Sequence, residues 1–147
     1  MAFQVSVFLE NKIGHLERIT GILRNDHINI RAMTLTHTTQ GWGIFNLIVS
    51  DPQKACDSLV SNGLSATLRK VAVIEMDDTP GGLDELLKKI SAAGINFTNA
   101  YGRIVESGKM AYLAIDVEDI DNAFVELEKA GLILVPDHKV YGNGKHE

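Results

Sequence analysis

Asp77-Asp78-Thr79-Pro80-Gly81-Gly82-Leu83 repeats, 67 positions on, the chain's own Glu10-Asn11-Lys12-Ile13-Gly14-His15-Leu16. A pattern that returns at a fixed long period marks a duplicated supersecondary unit. The register holds downstream, where Ile28-Asn29-Ile30 is answered by Ile95-Asn96-Phe97 at the same offset. Past the next turn the offset becomes 68, with Ala55, Leu59, Gly63 and Leu64 answered by Ala123, Leu127, Gly131 and Leu132. The second copy therefore carries one extra residue, placed near Glu106 to Lys109.

Working outward from the repeated stretch, residues 4 to 10 alternate, with Val5, Val7 and Leu9 on one side, the period of a half-buried strand. After Gly14, Leu16, Ile19, Ile22 and Leu23 recur at helical spacing, as do Leu83, Leu86, Leu87 and Ile90 after Gly81. Ile28 to Thr38 is rich in β-branched residues, Thr39 to Gly43 has turn chemistry and Ile44 to Val49 alternates again, which predicts a hairpin. Asp51-Pro52 suits a helix start, Gly63 its end, and Leu64 to Leu68 a last strand. Each copy reads β-α-β-β-α-β, so the predicted fold is α+β: two ferredoxin-like modules in tandem, antiparallel sheets with the helices on one face. The predicted boundaries are residues 3–69 and 70–141, with a flexible tail at 142–147. Modules of this size bury little alone, so the copies are expected to share an interface.

Composition removes several function classes. No apolar run approaches the roughly 20 residues a bilayer span needs, and the start of the chain lacks the parts of a signal peptide. A cytoplasmic protein without membrane attachment is expected. The net charge of −5 is uneven: residues 1–70 carry 7 basic and 5 acidic groups, residues 71–147 carry 7 and 14. An acidic second half opposes nucleic-acid binding, which needs Lys and Arg clustered on one face. Cys56 is the single cysteine and the five histidines show no helical metal-pair spacing, so neither metal nor cofactor is expected. No nucleophile–base set and no phosphate loop is readable, which argues against an enzyme.

These residues resemble the ACT domains, small amino-acid-binding modules of metabolic enzymes. The resemblance runs from about Phe3 to Tyr141 and is clearest as Asp78-Thr79-Pro80-Gly81-Gly82-Leu83 followed by Ala93-Gly94-Ile95-Asn96. The first copy departs from it at Ile13, where proline is usual, and at His27, where glycine is usual. The resemblance implies stand-alone regulatory modules whose ligand lies between the glycine loop of one module and the early second strand of its neighbour, here Asn29, Ile30, Asn96 and Phe97.

The corners suit such a ligand chemically. The first N–H groups of a helix lack intrahelical partners and can receive a carboxylate, favoured by the helix dipole. Asn11 and Asp78 offer acceptors for an ammonium group. The candidate ligand set is Asn11, Ile13, Gly14, His15, Leu16, Asn29 and Ile30 in the first copy, and Asp78, Pro80, Gly81, Gly82, Leu83, Asn96 and Phe97 in the second. A plainer reading stands beside it, in which glycine lets the chain turn and Asn11 and Asp78 only cap. His15 is either at the ligand or exposed on the first turn, and Trp42 is either a partner anchor or packed between the copies. An apolar second sheet face, with Phe8, Ile44, Ile48, Val73, Tyr112 and Ala114, points to a homodimer or to cover by a larger enzyme. The favoured function is a non-catalytic sensor that binds a free amino acid at the interface between modules and regulates a metabolic enzyme or partner. The alternative is a structural or interaction adaptor with degenerate sites.

Overall fold

In each copy the alternation around the repeated stretch becomes antiparallel strands covered by two helices. The structure, a computed structural model, describes residues 2–10 and 12–142. The elements run β1 (Ala2–Glu10), α1 (His15–Asn25), β2 (Ile30–His37), β3 (Trp42–Val49), α2 (Pro52–Ser61), β4 (Ser65–Asp77), α3 (Gly82–Ala92), β5 (Asn99–Glu106), β6 (Met110–Asp116), α4 (Ile120–Lys129) and α5 (Asp137–Tyr141). Two compact units result, one comprising Phe3–Arg69 with Tyr141, the other Lys70–Val140 with Ala2. The last strand of the first copy and the first strand of the second are one element, β4, and the division falls within it.

In the first unit β3 pairs antiparallel with both β1 and β2, Leu47 facing Val5 on one side and Met33 on the other. The inward side chains Val5, Val7, Leu9, Phe45, Leu47 and Val49 pack on Ile19 and Leu23 of α1 and on Ala55 and Leu59 of α2, with Ala66 and Leu68 of β4 at the margin. In the second unit β6 pairs with β4 and β5. Its core draws on Ala72, Ile74, Leu113, Ile115 and Val117, on Leu86 and Ile90 of α3, and on Ala123 and Leu127 of α4. Most of these positions equal the first core's shifted by 67 before the hairpin and 68 after it, so the sequence repeat is a repeat of core contacts. Each fully buried aliphatic side chain contributes about 1.5–3 kcal/mol, which makes that register the main determinant of both folds. Where the second copy was expected to end in a fourth strand, the described residues hold only an isolated bridge of Ile74 with Leu134, flanked by Glu75 N–H donating to Ile133 O at 3.0 Å and Val135 N–H to Val73 O at 2.8 Å.

Two features differ from the sequence reading. Helix α5 was not foreseen: it starts after Pro136, whose carbonyl accepts from Lys139 and Val140 N–H. Val140 is buried, and its carbonyl accepts from Arg103 Nη1 at 3.4 Å while the Arg103 guanidinium lies 5.3 Å from the Tyr112 ring centre. A five-residue helix leaves too short a period to be recognised in sequence. Second, the sheet faces turned away from the helices are not uniformly open: Ile48, Val73, Tyr112 and Ala114 are buried within this chain, while Phe8 and Ile44 remain exposed. Beyond Gly142 the predicted tail, residues 143–147, lies outside the described residues.

Candidate functional site

Both glycine corners form in the same way. Strand β1 ends at Glu10 and α1 begins after Gly14 with φ 86°, and β4 ends at Asp77 and α3 begins after Gly81 with φ 87°. A left-handed residue turns the chain abruptly into the helix and is free of strain only without a Cβ. In both copies no described side chain caps the helix. Arg18 N–H donates to Gly14 O and Glu85 N–H to Gly81 O, so the helical ladder starts there and leaves the N–H groups of Leu16, Glu17, Leu83 and Asp84 without helical partners. Amides so placed are donors for an anion.

A cavity adjoins each corner, but not on the same side. The first, about 310 Å³, is lined by Leu9, Lys12, Ile13, Gly14, Leu16, Glu17 and His37. Leu9, Gly43 and His37 form one row across three strands, and a Cβ on Gly43 would stand 2.6 Å from His37 Cδ2. Glycine there lets the imidazole lie across the strand toward the corner. The second cavity, about 220 Å³, lies between α3 and the segment leading to the Leu134 bridge and is lined by Glu75, Met76, Asp77, Gly82, Glu85, Leu86, Lys89 and Gly131 to Ile133. His37 and the Gly131 to Ile133 wall were missed in sequence because they join the corner only through strand pairing, whereas Lys12 lies within the repeated stretch itself; the row occupied by Leu9, Gly43 and His37 reads Met76, Ala111 and Ile104 in the second copy.

The predicted site residues fall into separate groups. Ile13 is fully exposed at the first corner, and Leu16 lines its cavity while packing on the core. His15 is half-buried, and its Nδ1 is buried with no hydrogen-bond partner among the described residues. Asn11 lies outside the described residues. At the second corner Pro80, Gly81 and Leu83 are exposed and Gly82 is buried, and a Cβ on Gly82 would meet the Asp77 carbonyl oxygen at 2.2 Å. Asp78 is turned to the β5–β6 hairpin, where its carboxylate accepts from Gly108 N–H at 2.8 Å. Lys12 is held by Glu10 at 2.6 Å, and this hydrogen bond and charge keep the Glu10 carboxyl below the usual carboxylate range.

The second-strand group stands apart. Ile30 pairs with Val49 while Glu10 pairs with Trp42, seven residues along β3, or about 24 Å at ~3.4 Å per residue. Within one module the corner and Asn29 are therefore at opposite ends of the sheet. Asn29 is exposed and its N–H donates to Ser50 Oγ at 2.9 Å. Ile30 and Phe97 pack against their own cores and Asn96 is exposed. Trp42 stacks on Phe8 with ring centres 5.2 Å apart, a partner in its own module that neither sequence reading named. Cys56 is buried, and burial, with the neighbouring Asp57 charge, pushes its thiol up.

Comparison with known proteins agrees with the fold. The profile of the family described as "ACT domain pair" matches residues 1–134. A crystal structure of a protein from Bacteroides thetaiotaomicron superposes with a TM-score of 0.85 at 30% identity, covering 95% of each chain. The regulatory subunit of aspartate kinase from Thermus thermophilus, in ligand-free form, shares the fold with a TM-score of 0.63 at 16% identity over 87% of this chain and 91% of its own. That of Thermus flavus gives 0.56 at 16% over 88% and 92%. No protein of curated function matches the sequence. Two β-α-β-β-α-β units in register, a glycine corner in each and a family profile over nearly the whole length lead to one conclusion: the chain belongs to the ACT domain pair family.

Proposed function

We propose that this chain is a non-catalytic sensor that binds a free amino acid at its glycine corners and passes the bound state to a metabolic enzyme. What supports the reading is the pair of uncapped helix starts at left-handed glycines, each beside a cavity. The α-carboxylate takes the free amides of Leu16 and Glu17, or of Leu83 and Asp84. The α-ammonium takes Asn11 or Asp78, and the side chain lies toward the adjoining cavity. The roughly 24 Å between corner and second strand means that Asn29 or Asn96 joins the ligand only from another ACT module, as the family resemblance implies. The Thermus neighbours are regulatory subunits of aspartate kinase by name, which suggests an enzyme as the partner read out here. Regulation follows if the ligand binds one of two states more tightly.

Calorimetry of the full chain against the twenty proteinogenic amino acids, each taken to millimolar concentration, tests the proposal. At least one is expected to bind, and the affinity falls when Gly14 or Gly81 is replaced by valine. Silence of all twenty would leave the adaptor reading in its place.

A further inference from the structure

The second corner is fastened to a neighbouring turn through one side chain. Asp78 N–H donates to Lys109 O at 3.2 Å, and the Asp78 carboxylate accepts from Gly108 N–H at 2.8 Å. Gly108, with φ 77°, sits in the β5–β6 turn, just past the register shift between Ile104 and Glu106. That shift absorbs the extra residue of the second copy. In the first copy the matching turn closes on itself, with Thr38 N–H and Thr38 Oγ1 both donating to Trp42 O. The clamp between corner and hairpin is thus tied to an insertion that the first copy lacks.

The two ends of the clamp differ in freedom. The corner backbone is fixed by Gly82 N–H donating to Thr79 O at 2.9 Å and by the close approach of Gly82 to the Asp77 carbonyl. The Asp78 main chain is held by Lys109, so its carboxylate alone can turn, about χ1. In the bond to the Gly108 amide only the acceptor is charged, whereas an ammonium donor brings a full opposite charge and adds Coulomb attraction to the hydrogen bond, so the ammonium is the stronger partner for this carboxylate.

We propose that Asp78 is a switch residue: in the empty corner it holds Gly108, and when an amino acid docks its carboxylate turns to the ligand's ammonium group and frees the Gly108 amide, while Asp78 N–H keeps its bond to Lys109. The inference rests on the amino-acid-binding reading and adds its output, an exposed turn whose order depends on occupancy. By linkage, the Gly108 bond lowers ligand affinity by the factor with which the ligand loosens that bond.

The test uses the full chain, ¹⁵N-labelled, titrated with each of the twenty L-amino acids while calorimetry reads binding and NMR reads exchange of the Gly108 amide with water. Every amino acid that binds at the second corner is expected to speed Gly108 exchange by roughly tenfold, the scale of losing a hydrogen bond to a charged group. Asp78→Ala is expected to show that fast rate without any amino acid. Asp78→Asn, which keeps an acceptor and loses the charge, is expected to hold Gly108 slow at every concentration and to bind about tenfold more weakly. Binding in the wild-type chain with Gly108 unchanged overturns the switch and leaves the sensor standing. An unchanged Gly108 rate in Asp78→Ala with native circular dichroism also overturns it, and if that variant does not fold, the Asp78→Asn titration decides. Absence of binding by all twenty removes the sensor and the switch together.

Discussion

At the scale of single residues, adjacent glycines at the second corner are needed for different reasons. Gly81 has φ 87° with open space where a Cβ would go, whereas a Cβ on Gly82 meets the Asp77 carbonyl oxygen at 2.2 Å. Gly81→Ala is expected to cost about 1–2 kcal/mol from left-handed strain alone. Gly82→Ala is expected to cost about 1–3 kcal/mol by forcing backbone apart, and also to weaken amino-acid binding. Urea unfolding of the two variants checks both. His27 presents the opposite case: it holds φ 56° at the end of α1, where Gly94 serves α3, and Ile28 N–H and Ile95 N–H close the two helices alike on Leu23 O and Ile90 O. His27→Gly is therefore expected to stabilise the chain by about 0.5–1 kcal/mol, the left-handed strain relieved less the extra freedom of glycine in the unfolded chain. Tyr101 supplies a pH signature. Burial, reinforced by the Asp116 charge, raises its phenol well above the ordinary value. The stabilising contribution is complete below about pH 10, the unfolded value, and is lost as pH rises through that value toward the folded one, because the unfolded chain then releases the proton more readily. Ultraviolet titration should find one of the three tyrosines ionising late and together with alkaline unfolding.

At the scale of elements, the repeat extends to the caps. Asp51 accepts from Lys54 N–H at 3.1 Å at the start of α2, and Asp119 accepts from Asn122 N–H at 3.2 Å at the start of α4, 68 positions later. Asp51→Ala and Asp119→Ala are each expected to cost about 1 kcal/mol, and the double variant to cost the sum, since the caps share no partner. Thermal unfolding of the three variants measures this. These helices were readable because cap, period and terminal glycine agree. Helix α5 was not, since its five residues are fixed by burial of Val140 and the reach of Arg103 rather than by any local pattern. The hairpin insertion was located in sequence to within a few residues, but only the register shift between Ile104 and Glu106 showed that it is a bulge.

At the scale of the whole molecule, the exposed Phe8 and Ile44 form one patch with the half-buried Trp42 on the face turned from the helices, with Phe8 opposite Ile44 and stacked on Trp42. With a second copy paired there, the homodimer that the apolar face suggested in sequence, Ile44→Lys is expected to shift sedimentation from dimer to monomer with circular dichroism unchanged, because a charge desolvated in such a contact has no partner. The sequence alone determined the duplication, the order of strands and helices as far as α4 and the inward faces of β1 and β3, because each rests on local period and on spacing that the chain itself repeats. It also located both corners, since a glycine at a strand-to-helix turn is a local requirement. Tertiary structure alone decided what surrounds them. Strand pairing brought His37 beside the first corner and the Gly131 to Ile133 wall beside the second, and it committed Asp78 to Gly108. Such neighbours lie up to some 55 residues away along the chain, and no local propensity encodes which of them a fold will bring into contact.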